Sequence, residues 1–214
     1  MNSQSDEHRV GNITSIAMAF EGGIGLIALG LGWYFGVPPL ESVVGQSAAG
    51  NALATVWGLA AAVPLFLALV VWDKASTSWM GHLRQVVQDK VVPLFRGTTT
   101  WQLLLIALSA GIGEELLYRG LVQDGLSQWI GEPHGTWVAL LVASVFFGVC
   151  HWVTGEYALL ATVIGLALGA LFIATGNLLA PIAMHALYDF LALIYLVRRY
   201  GGEGPAGERL NGLS

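Results

Sequence analysis

The sequence predicts an all-α membrane protein, a polytopic bundle of about six transmembrane helices with one amphipathic helix at the interface. Three observations carry this. The 214 residues are 55% hydrophobic and only 11% charged, against about 25% charged in an ordinary soluble domain. The apolar residues are gathered into runs long enough to cross a hydrocarbon core of roughly 30 Å, which takes about 20 helical residues. Those runs are also too long and too uniformly apolar for barrel strands, which leaves helix as the spanning element. The uncharged stretches from Gly22 to Leu40 and from Ser42 to Trp72 argue against a merely apolar soluble bundle.

The spans are expected at about 13–36, 50–72, 101–122, 136–153, 157–175 and 178–198. The first follows a dozen polar residues of mixed charge and is too long for a signal-peptide core, so it reads as a retained span. Between the second and third lies KASTSWMGHLRQVVQDKVVPLF, in which Trp79, Leu83, Val86, Val87 and Val91 recur at near-helical spacing. That pattern suits an interfacial amphipathic helix, ended by Pro93. The tail GGEGPAGERLNGLS is Gly-rich and polar, a composition that favours disorder. The chain thus divides into an N-terminal span pair with its amphipathic helix (1–100), a polar-motif core (101–198) and a tail (199–214).

Basic residues set the orientation. With both termini in the cytoplasm, Arg9, Lys74, Arg84, Lys90, Arg96, Arg198, Arg199 and Arg209 all fall inside, and only Arg119 is left over. The net charge of −5 and the lack of a basic patch set nucleic acid aside as a partner. The single cysteine, Cys150, rules out an internal disulfide and a thiolate metal cage. It reads as small buried filler, since it points about 100° away from its neighbour His151.

An ionisable group at mid-span costs about 2.5–3.5 kcal/mol, so each one asks for a reason. They are Glu21 in span one, Glu114, Glu115 and Arg119 in span three, His151 in span four, and His185 and Asp189 in span six. Glu115 and Arg119 stand four apart with the acid first, the better order for a helical pair. Glu114, about 100° further round the helix, has no cation on its own face. A buried carboxyl of that kind suits a general base for water. Phe147 and His151 are four apart, so the ring can pack beside the imidazole. His185 and Asp189 are likewise four apart and share one face; donors of this type suit an oxyanion. Tyr118, one turn after Glu114, either bonds it or lines the interface. For Glu21, packing against a neighbouring polar group is favoured over chemistry. Glu, two His and Asp are also possible metal ligands, although no HExxH helix is present. A non-catalytic immunity, binding or proton-coupled transport protein would use such groups too.

Three ordered motifs narrow these alternatives. EELLYR at 114–119 resembles EExxxR, FGVCH at 147–151 resembles FxxxH, and HALYD at 185–189 resembles the third, HxxxN-type motif of the CPBP intramembrane proteases. That family includes the CAAX prenyl endopeptidase and bacterial homologues linked to bacteriocin processing and immunity. The resemblance implies a glutamate-dependent intramembrane endopeptidase that needs no metal or other cofactor. Its substrate would be a membrane-embedded or membrane-associated peptide, and its location the bacterial cytoplasmic membrane. Glu114 would activate water with His151; His185 and Asp189 would stabilise the oxyanion; Glu115, Arg119, Phe147 and Tyr118 would support them. Asp189 departs from the asparagine of the CAAX endopeptidase, so it acts protonated or else orients His185. The CAAX substrate itself is not carried over by the resemblance.

Overall fold

Helix formation follows from the apolar runs, because backbone groups in hydrocarbon must be satisfied within their own segment. The computed structural model describes residues 3–75 and 77–201, with side chains from residue 13 onward. The helices are α1 (Ser3–Phe35), α2 (Glu41–Val44), α3 (Ala48–Lys74), α4 (Ser78–Val86), α5 (Thr100–Glu115), α6 (Asp124–Ile130), α7 (Gly135–Cys150), α8 (Gly155–Thr175) and α9 (Leu179–Tyr200). Among the described residues there is no strand.

Five helical stretches are long and apolar enough to cross a membrane, and α7 is a shorter apolar helix beside them. This is an integral membrane protein of about six spans. Exposed aromatics mark both ends of the bundle, with Trp33, Trp129 and Trp137 at one and Trp79 and Trp101 at the other. Such belts suit the headgroup level of a bilayer.

Local sequence sets the helix ends. The Ser47 hydroxyl accepts from the amide of Gly50 at 3.1 Å and Thr154 caps α8 in the same way. Thr99 and Gln102 form a reciprocal capping box before α5. Gly176 ends α8 in the left-handed region at φ +58°, where a glycine has no Cβ to strain.

Three differences from the sequence expectation bear on function. The third span does not stop at 122. A π-helical segment, Leu116–Gln123, joins α5 to α6 and makes one stretch of 31 residues, Thr100–Ile130. Hydropathy falls at Gln123 and Asp124, but Gln123 is buried and donates to the Gly169 carbonyl at 3.1 Å, so the helix continues. Next, α4 and the π turn after it (Val87–Val91) do not offer their whole apolar stripe to lipid. Val87 and the following Val92 pack on Leu196 and Tyr200 of α9. Last, Arg199 and Tyr200 belong to α9 rather than to the tail; residues 202–214, where disorder was expected, lie outside the described residues.

In the bundle α7 packs antiparallel to α8, α3 lies parallel to α9 with Gly58 at Ala180 and Asp73 at Tyr195 and Tyr200, and α5 sits between α1 and α9. Small residues allow the close approaches. A side chain at Gly113 would overlap the main-chain carbonyl of Glu21 on α1. At the Lys74 end, Asp73 is fully buried and ties three elements together. It accepts from Tyr195 at 2.7 Å and from the Tyr200 hydroxyl, and it pairs with Arg199 at 2.7 Å and Arg84 at 3.5 Å. Sequence reading missed this cluster because Asp73 looked like the polar end of a span.

Candidate active site

Unequal helix lengths bring the polar groups to one depth. Gly135 at the start of α7 abuts the main chain of Ser127. From Ser127 back to Glu114 is about 20 Å of helix, and from Gly135 to His151 about 24 Å, at 1.5 Å per residue. The two side chains therefore meet near mid-bundle. If α7 were a full span, His151 would sit well beyond Glu114.

Two groupings result. In the first, Glu115 is fully buried and its Oε1 accepts from Arg119 Nη1 and His185 Nδ1, each at 2.8 Å. Arg119, also fully buried, donates from Nη2 to the Gly165 carbonyl at 2.8 Å, and its guanidinium lies 4.9 Å from the Phe147 ring centre. These contacts tie α5, α7, α8 and α9 to one carboxylate. His185 Nε2 faces Asp189 Oδ2 at 3.4 Å, so both of its ring nitrogens look at carboxylates.

In the second grouping, Glu114 Oε2 is buried and has no hydrogen-bond partner. His151 Nε2 stands 3.6 Å from it, beyond hydrogen-bonding distance. The His151 ring is held by two contacts with Phe147. It stacks on that ring at 4.3 Å between centres, and its Nδ1 meets the Phe147 carbonyl at 2.8 Å. A carbonyl only accepts, so Nδ1 carries the hydrogen, and in the neutral ring Nε2 turns its lone pair toward Glu114. A gap of this length between two polar atoms is the setting in which a bridging water is looked for.

The site is deeper on one side than the other. The Glu114 and His185 side chains are 10% and 5% exposed, whereas those of His151 and Asp189 are 29% and 33% exposed. Access thus comes past His151 and Asp189. Tyr118 is buried edge-on against Phe146 and Phe147, and its hydroxyl lies by the Cys150 thiol rather than by Glu114. Cys150 itself is exposed, not buried filler: the last turn of α7 turns it outward while Phe147 and Gly148 face in. Among the described residues, no three His, Cys, Asp or Glu side chains converge as a metal site would require. A groove of about 500 Å³ between α3 and α9, lined by Phe66, Leu191, Ile194, Tyr195, Arg198 and Arg199, holds none of these groups.

Glu21, for which the sequence favours packing over chemistry, meets α5 at Gly113 through its main-chain carbonyl, and its carboxyl lies within electrostatic reach of His185, Asp189 and Glu114. The signal available in the sequence was its lone position on a span next to small residues.

The family model described as type II CAAX prenyl endopeptidase Rce1-like matches residues 96–191. That segment is similar to the Rce1-like family. It runs from α5 into α9 and contains Glu114, Glu115, Arg119, His151, His185 and Asp189. The Rce1-like match supports a CAAX-type intramembrane protease, a hydrolase, in general terms. No curated protein and no solved structure matches the chain.

Proposed function

We propose that this protein is an intramembrane endopeptidase in which Glu114 is the general base. The observation that carries the reading is the unpartnered Glu114 Oε2 facing the His151 Nε2 lone pair across 3.6 Å. A water seated beside these two atoms, within hydrogen-bonding reach of both, would donate one hydrogen to each acceptor and turn its own lone pair outward. Glu114 takes a proton from it as the hydroxide adds to the peptide carbonyl carbon. As an imidazolium, His185 donates from Nδ1 to Glu115 and from Nε2 toward the space it shares with Asp189, where the oxyanion develops. Donors already aimed at a developing charge are among the larger contributions to catalysis. When the tetrahedral intermediate collapses, the C–N bond breaks and the proton on Glu114 passes to the leaving amine. Glu115 and Arg119 hold the four helices around this point.

The substrate class is a membrane-embedded or membrane-associated peptide, admitted past His151 and Asp189. The described basic residues support cytoplasmic termini: Arg84 and Arg199 meet at Asp73, at the same end of the bundle as Lys74. The bacterial cytoplasmic membrane is the matching location.

The test is a cleavage assay on purified wild type and Glu114→Gln, given a library of membrane-soluble peptides with new N-termini read by mass spectrometry. Wild type is expected to cut, and the variant to lose about 10²–10⁴-fold in rate, the usual contribution of a general base. Equal cutting by both would leave Glu114 without this role.

A further inference from the structure

Glu21 takes no part in the chemistry above and lies on α1, outside the matched segment 96–191. The inward stripe of α1 is otherwise small or uncharged: Thr14, Gly25, Ala28 and Gly32 are buried. Glu21 falls on the same face, seven residues after Thr14 and four before Gly25. Its main-chain carbonyl is the atom packed on Gly113, and a Cβ at Gly25 would also touch Gly113. Closure of α1 on α5 is thus made by main chain and glycine, and the Glu21 carboxyl is not needed for it. Glu21 Oε2 is nevertheless buried and has no hydrogen-bond partner.

The surrounding charges give that carboxyl a use. On α5, Glu115 is committed to Arg119 and His185; on α9, His185 also faces Asp189. On α7, His151 gives its Nδ1 hydrogen to a carbonyl. Glu21 and Glu114 are the two acids of the group without a hydrogen-bonded cation, and the Glu21 main chain packs on Gly113, the residue before Glu114, which brings the two carboxyls within electrostatic reach. When Glu114 takes the proton of water its negative charge disappears, and so does its repulsion with Glu21. A carboxylate at position 21 therefore favours the proton transfer without exchanging a proton or touching substrate.

We propose that Glu21 is a positioning residue of this site, supplied by the first span, which drives Glu114 to accept the proton of the attacking water. The proposal rests on Glu114 being the base, and the test keeps the two apart. Wild type, Glu21→Gln, Glu21→Asp, Glu114→Gln and the double Gln variant are purified as full chains in detergent. Each is assayed on a quenched-fluorescent peptide that wild type cuts, and melted. Glu21→Gln is expected to lower kcat about tenfold, less than loss of the base itself, with KM within about twofold and Tm unchanged. Glu21→Asp should recover part of the rate, and the double variant should be no slower than Glu114→Gln alone. Wild-type kcat in Glu21→Gln beside an inactive Glu114→Gln would overturn the role of Glu21 and leave the base in place. A loss of kcat that tracks a loss of Tm, or a change in KM alone, would also overturn it. An active Glu114→Gln would instead remove the base reading.

Discussion

At the Lys74 end of the bundle, Asp73 is surrounded by donors: two tyrosine hydroxyls, Arg199 and Arg84. At mid-depth Glu114 is also buried, yet its Oε2 meets nothing within hydrogen-bonding distance. The two acids lie in the same fold and answer different needs. A buried charge whose lone pairs are filled joins helices, and removing it leaves its partners stranded. A buried acid left short of a partner contributes little to joining anything, and such sites gather where chemistry is done. Glu115 adjoins Glu114 in the chain and its Oε2 is also without a partner, but its Oε1 is held by Arg119 and His185, so it joins helices as Asp73 does. Neighbouring residues on one helix thus belong to different classes.

The largest effect that sharpens this contrast belongs to Asp73. Asp73→Ala leaves two tyrosine hydroxyls without their acceptor and Arg84 and Arg199 without their counter-charge. It should destabilise by about 3–5 kcal/mol, read as a lowered Tm in detergent, with kcat per folded molecule close to wild type. A marked loss of kcat at full stability would mean that the two regions are not separate. Gly113→Ala is expected to come next. The added methyl presses on the Glu21 carbonyl, and overpacking of this sort costs about 1–3 kcal/mol. Because Gly113 precedes Glu114, both Tm and kcat should fall together, unlike in either acid variant. The smallest expected effect is Tyr195→Phe, which removes one donor among several on Asp73. A loss of about 0.5–1.5 kcal/mol, the usual net value of one hydrogen bond, is expected, with no change in turnover.

Much of the architecture was legible because lipid leaves few options. Uncharged runs located the spans to within a few residues at α1, α3, α8 and α9. The spans around the polar groups were harder, since hydropathy counts a buried Gln123 as if it faced water. The third span therefore seemed to end at 122 when it continues to Ile130. Glu114 and His151 share one depth because α7 has 16 residues and starts against Ser127, a contact between helices that an apolar profile does not show. Spacing within one helix paired Glu115 with Arg119, but no spacing rule could show that His185, 70 residues away, would meet Glu115. Asp73 escaped notice for the same reason, since its partners come from α4 and α9. Contacts between helices are set by packing, and one sequence without its relatives carries little trace of them.

The central claim is that Glu114 does chemistry while its neighbour Glu115 holds the structure. The most direct measurement is turnover and Tm, side by side, for Glu114→Gln and Glu115→Gln. The account predicts that Glu114→Gln loses cleavage at an unchanged Tm. Glu115→Gln should lower Tm by an amount matching about 3–5 kcal/mol, because it strands Arg119 and His185 in the interior. A Glu114→Gln variant that cuts at the wild-type rate, or one that melts as early as Glu115→Gln, would contradict it.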